Sequence, residues 1–263
     1  MGKADSIIAP IFGRFCFFGV LRKRGNTMKN ELLLLASVIV IYGVVLLCYR
    51  LFGKSGLFAM TAISTILANV EVLMLVEGFG MEQTLGNVMF ASTYLITDIL
   101  SENEGKKAAE KAVWIGVFTA CAMLVFTRFW LLYTPSPSDW AREHISAIFG
   151  TTPRLLLASF LGYAVSQRFD VWLYHFFWKL TTKKSGSSER FLWVRNNAAT
   201  LISQIVNTVI FTLCAFAGWY SAGSVLQVMI SSYAVYICTS LLDTPAVYIA
   251  RRMKKRGSIP AEQ

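Results

Sequence analysis

The sequence predicts an all-α, polytopic membrane protein, a helical bundle of six to seven transmembrane segments. Three observations predict it. Of the 263 residues 55% are hydrophobic and only 15% are charged, with a mean hydropathy of +0.53, whereas soluble domains carry roughly 25% charged residues. Several apolar runs reach the roughly 18–20 residues that cross a hydrocarbon core. Those runs mix Leu, Ala, Ile and Val continuously, without the apolar–polar alternation of an outer-membrane barrel. Helices remain, because they satisfy their backbone polar groups within each segment.

Seven apolar segments can be drawn, at about 32–52, 57–76, 84–100, 108–133, 154–177, 196–219 and 225–250. They make a membrane domain over 31–252. It follows a basic extension, 1–30, expected to be poorly ordered, and precedes a tail at 253–263. The first and second segments are joined by RLFGKSG (50–56), the second and third by the acidic EGFGMEQ (77–83), and the third and fourth by ENEGKKAAEK (102–111). The longest connection, 134–153, places two Pro-rich marks around a short amphipathic stretch and reads as a loop lying on the membrane surface. KLTTKKSGSSER (179–190) is a basic, Ser/Gly-rich turn. None of the connections is long enough to form a second domain.

Lys and Arg set the orientation. Residues 179–195 and the RRMKKR tail (251–256) are both basic and lie two spans apart, which puts both, and the C-terminus, in the cytoplasm. Counting back makes 102–111 and 50–56 cytoplasmic, 77–83 external and the N-terminus external. The six basic residues of 1–30 resist that placement. Either Met28 is the natural start, or one segment is re-entrant and six spans leave both ends inside.

The net charge of +10 gathers at segment ends, as in cytoplasmic loops, so nucleic acid is not the expected partner. Cys16, Cys48, Cys121, Cys214 and Cys238 are scattered without metal or redox spacing and read as small packing residues. His144 and His175 are far apart in sequence. No metal or cofactor is implied, no Walker A loop is present, and no HExxH, paired-His or GxSxG arrangement suggests an intramembrane enzyme.

Polar residues inside the apolar runs carry the functional signal, since an intramembrane acid costs about 2.5–3.5 kcal/mol on insertion scales. Tyr94, Asp98 and Glu102 recur every four residues on one helical face. Tyr163, Gln167, Asp170 and Tyr174 form a second stripe, with Arg154 at the start of that segment. Asn196, Thr200, Gln204 and Asn207 form a third, and Tyr233, Tyr236, Ser240 and Asp243 a fourth. Single Ser, Thr, Asn or Gln side chains commonly join helices in membranes, and Asp98, Glu102 and Glu104 sit where they could pair with Lys106 and Lys107. Three or four polar groups per helix exceed what such joining needs. Their convergence predicts a shared interior of acids, amides and aromatics, suited to a flat, neutral heteroaromatic ligand.

From about Leu57 to Arg252, four blocks in order resemble the queuosine precursor transporter family, also called the vitamin uptake transporter family. They are TLGNVMFASTYLITDILSENEGKKAAEKAVWIG, RLLLASFLGYAVSQRFDVWLYHFF, RNNAATLISQIVNTVIFTLCAFAG and SSYAVYICTSLLDTPAVYIARR. The resemblance implies a transporter, not an enzyme, importing a 7-deazaguanine for transfer RNA modification. The substrate would be the cyano or aminomethyl precursor of queuosine or queuine itself. Asp98 and Glu102 match the signature acids; Arg154, Ser159, Tyr163, Gln167 and Asp170 match the second block, and Gln204 the third. Where relatives often carry an Asp and a Lys, this chain has Asn207 and Tyr236, as if neutral partners replaced a buried ion pair.

The expected substrate-binding residues are therefore Tyr94, Asp98, Tyr163, Gln167, Asp170, Gln204, Asn207 and Tyr233. Asp98 would accept from the guanine-like edge. Glu102, Arg154 and Asp243 are gate or structural polar residues, with Glu102 and Glu104 gating through Lys106 and Lys107. Asp98 or Asp170 is the candidate proton carrier. The expected site is the plasma membrane, with lipid and the deazaguanine as partners. Small residues such as Gly116, Ala120, Ser159 and Gly162 permit close helix contacts within one chain or in a homodimer. The alternative function is a substrate-capture subunit of a multi-component importer.

Overall fold

The computed structural model describes residues 24–79, 81–150, 153–186 and 191–260. Their elements, in order, are α1 Arg24–Glu71, β1 Leu75–Gly78, β2 Met81–Thr84, α2 Gly86–Asn103, α3 Lys106–Leu132, α4 Arg142–Phe149, α5 Pro153–Ser185, α6 Leu192–Phe216 and α7 Ala222–Lys255. The fold is all-α apart from one small hairpin. Among the described residues, four helices are long and apolar enough to cross a membrane: Lys29–Glu71, Lys106–Leu132, Leu192–Phe216 and Val228–Lys255. The more polar α2 and α5 are not among them, and for α2 the packing explains why. In α2, 15 of 18 residues are buried, so its surface meets other helices and has no need to be apolar.

α1 is not a rod. Gly53 has φ 60° and ψ −147°, a conformation that side-chain-bearing residues rarely adopt. Eight residues of straight helix would separate Cys48 from Gly56 by about 12 Å. Instead, a Cβ placed on Gly56 would lie 2.5 Å from the Cys48 carbonyl oxygen. The chain doubles back, giving a first arm (24–52) and a second arm (54–71). The expected connection 50–56 is thus a tight reversal between two near-continuous helices.

The far ends of both arms meet the hairpin, which departs from the expected second segment. The apolar pattern extends that segment to residue 76, but the helix stops at Glu71 and Leu75–Gly78 pairs antiparallel with Met81–Thr84. Phe79 at the turn has φ 54°, and the polar Glu77, Gln83 and Thr84 suit a ladder at the water-facing end. Asn30 Nδ2 donates to the Glu77 carbonyl at 2.9 Å, and the Phe79 N–H donates to the Glu31 carboxylate at 3.0 Å. Of the basic extension, residues 1–23 lie outside the described residues, and 24–30 belong to α1.

α2 is the axis of the bundle, packed on by α1, α3, α5 and α7. α5 and α6 form the most extensive pair. α3 is peripheral, with Trp114, Phe118, Phe126 and Phe129 exposed on what is, in a bilayer, the lipid side. α4 is a short helix with no buried residue, in the loop expected to lie on the surface. Arg142 ties it to the end of α3 by donating to the Trp130 and Leu131 carbonyls at 2.8 and 2.6 Å.

Candidate functional site

Apart from Tyr233, the residues of the four polar stripes turn inward, and they stack in three layers. Four residues of helix rise about 6 Å, so Tyr94, Asp98 and Glu102 reach different depths.

The layer nearest the hairpin is a cavity. It lies among the second arm of α1 (Thr65, Asn69), α2 (Asn87, Phe90), α5 (Ser159, Tyr163), α6 (Asn207, Thr208, Phe211), α7 (Ser232, Tyr236) and the hairpin (Gln83, Thr84). Measured as space for the centres of water-sized spheres its volume is about 80 Å3, several times the roughly 10–15 Å3 that one water needs. None of its lining residues is charged. Gln83 Oε1, Thr84 Oγ1, Tyr163 Oη and Thr208 Oγ1 are buried without a hydrogen-bond partner, so the wall holds donors and acceptors with nothing to bind. Phe90 sets an aromatic wall, with its ring centroid 5.6 Å from Tyr94, 5.8 Å from Tyr163 and 6.3 Å from Tyr236. Two glycines make room for the polar wall. A Cβ on Gly116 would fall 1.8 Å from the Tyr163 hydroxyl, and one on Gly162 would fall 2.8 Å from Asn207 Oδ1.

The middle layer is closed. Asp98 accepts from Thr200 at 3.2 Å and Asp170 from Ser203 at 2.7 Å. Gln167 donates to Thr93 at 2.6 Å and accepts from Thr97 at 3.3 Å. Gln204 accepts from Asn207 at 3.5 Å. Tyr94 donates to Ser166 at 2.7 Å, and Ser166 donates to Asn207 at 3.5 Å, linking this layer to the cavity floor. Asp243 is buried beside Tyr42.

The inner layer is a set of ion pairs. Arg195 is fully buried and donates to both oxygens of Glu102, at 2.6 to 2.9 Å. Arg251 lies 3.3 Å from the same carboxylate, and Tyr174 donates to it at 2.8 Å. The Arg195 guanidinium also covers the Trp178 ring at 4.3 Å. Beside it, Glu104 accepts from Tyr49 at 2.7 Å and from Lys254 at 2.8 Å. This corrects the expected gate partners, because Lys106 pairs with Glu110 at 3.6 Å along its own helix. Lys106 and Lys107 open the next helix after the Gly105 turn, whereas Arg195, Arg251 and Lys254 approach from α6 and α7.

Residues 84–250, from the end of the hairpin through most of α7, match the family model described as "Putative vitamin uptake transporter". The chain belongs to this family. A curated protein from Bacillus subtilis (strain 168), described as "Probable queuosine precursor transporter", is 38% identical over 226 residues, covering 86% of this chain and 96% of that protein. No solved structure matches the chain. Family membership makes it a membrane transporter rather than an enzyme.

In this vitamin uptake transporter Tyr163 and Asn207 line the cavity, whereas Tyr94, Asp98, Gln167, Asp170 and Gln204 lie in the closed layer beyond it. Asn207 and Tyr236 adjoin each other in the cavity wall. Tyr233 is half-buried, donates to the Leu201 carbonyl at 3.3 Å and does not line the cavity. Arg154 donates to the Cys214 and Ala217 carbonyls at 2.6 and 2.5 Å and stacks on Trp219 at 4.7 Å. It therefore satisfies the end of α6. Sequence reasoning missed Asn69, Asn87 and the hairpin pair Gln83 and Thr84, as well as Arg195. Arg195 directly precedes Asn196 at the head of the third stripe, which was the available signal, but an Arg at a segment end reads first as a snorkelling residue.

Proposed function

We propose that this transporter imports a queuosine precursor of the 7-deazaguanine class across the plasma membrane, by alternating access through a seven-pass bundle. The two arms of α1 count as separate passes. The hairpin end faces outward, and the basic end that carries Lys183, Lys184, Arg251 and Lys254, with the C-terminus, faces the cytoplasm, in keeping with the positive-inside rule. The observation that carries the reading is an uncharged cavity of amides, hydroxyls and aromatic faces, closed beneath by the middle layer, with the Glu102–Arg195 pair beyond that layer at the inner end. A flat base can stack on Phe90 while its ring edge engages Asn69, Asn87, Asn207 and the unpaired Tyr163 and Thr208 hydroxyls.

The name of the Bacillus subtilis relative supports the substrate class, and the chemistry of the lining selects within it. The cyano precursor is neutral, whereas the aminomethyl precursor carries an ammonium that an uncharged wall leaves without a counter-charge. Uptake of each labelled compound by cells unable to make queuosine tests this. We expect uptake dependent on the chain and preference for the cyano form. Accumulation that does not depend on the chain would refute the function, and a preference for the aminomethyl form would refute the selectivity.

A further inference from the structure

We propose that Asp98, Asp170 and Asp243 form a proton-binding site, loaded from the outer cavity and emptied toward the inner ion pairs, that makes uptake proton-driven. The three come from α2, α5 and α7. Their relative exposures are 0, 0 and 1%, and they act on one another electrostatically. Asp98 Oδ1 and Asp170 Oδ2 have no hydrogen-bond partner, and Asp243 has the Tyr42 hydroxyl beside it and no cation. No ion pair among the described residues involves them. The groups facing them are Tyr42 from α1, Tyr94 and Glu102 from α2, and Tyr174 from α5. The nearby α6 cation, Arg195, is bound to Glu102.

Three uncompensated carboxylates inside a membrane bundle are costly, and the cost is relieved by a bound cation. The described residues hold no group of three His, Cys, Asp or Glu side chains set to hold a metal ion. A proton needs no such geometry. It binds one carboxylate oxygen and removes that group's charge, which relieves the repulsion on the other two. The route in is visible, running from Asn207 at the cavity floor through Ser166 to Tyr94, which lies beside Asp170. Thr200 and Ser203, three residues apart on α6, then hydrogen-bond Asp98 and Asp170.

The coupling rests on the transport reading above, whereas proton binding does not, so the test has two parts. In the full-length protein in nanodiscs, infrared difference spectra against pH should show a protonated-carboxyl band that weakens in Asp98→Asn, Asp170→Asn and Asp243→Asn. Absence of that band in the wild type, or its persistence when all three are replaced, overturns the site. In proteoliposomes, one proton per neutral substrate predicts about tenfold more accumulation of labelled 7-deazaguanine per pH unit of inward gradient. That response should vanish in the Asn variants. Gradient-indifferent accumulation with substrate counterflow intact overturns the proton drive alone. Loss of counterflow in the wild type refutes the transport reading and the drive with it.

Discussion

Replacing Glu102 with Gln should unlatch the inner end of the bundle. In the wild type the carboxylate accepts from Arg195 and Tyr174 and is ion-paired with Arg251, and both Arg195 and Glu102 side chains are at most 2% exposed. Removing one partner of a buried pair costs about 3–5 kcal/mol, because it strands the other charge. Here the lower end applies, since Arg195 keeps its place over Trp178 and Gln can still accept a hydrogen bond. If that cost falls on the inner-closed state, where Arg195 is dry, about 3 kcal/mol corresponds to roughly a hundredfold larger inner-open population. A cysteine at the buried position Ser101, in a chain cleared of its native cysteines, reports this as the rate of labelling by a maleimide added to inside-out vesicles. We expect labelling about a hundredfold faster in Glu102→Gln, and a smaller acceleration in Arg251→Gln because that side chain is 15% exposed. Equal rates in Glu102→Gln and the parent would refute the latch.

Two further substitutions separate site from scaffold. Gly116→Ala places a methyl group 1.8 Å from the Tyr163 hydroxyl, so Tyr163 must leave its position in the cavity wall; uptake should fall at least tenfold while the amount of protein inserted in the membrane is unchanged. Arg154→Ala strips the end of α6 of its two carbonyl partners and should lower thermal stability in detergent by about 1–3 kcal/mol, with the substrate concentration at half-maximal uptake unaltered.

The periodicity of Tyr94, Asp98, Tyr163, Gln167, Asn207 and Asp243 revealed which helical faces turn inward, because a membrane chain can hide polar groups only by pointing them at other helices. It did not reveal depth. The pattern points to Asp98 for the guanine edge, and the structure places it in the closed layer, with the neutral Asn207 and Tyr163 lining the cavity. The connection at 50–56 was legible from its polar and glycine residues, but not that it is a reversal made at the single residue Gly53, whose φ of 60° leaves no mark in composition. The hairpin was hidden because LVEG and MEQT are each only four residues long, and their pairing depends on contacts with Asn30 and Glu31 more than forty positions away. Arg195 sits in a basic stretch whose charge sets orientation, and burial of that one member is a tertiary fact.

The decisive measurement is equilibrium binding of the labelled cyano 7-deazaguanine to the purified chain and to Asn207→Leu. If the outer cavity holds the substrate, the parent binds saturably, and loss of the amide, worth about 1–3 kcal/mol, weakens binding about tenfold or more. Saturable binding that Asn207→Leu leaves untouched would contradict it.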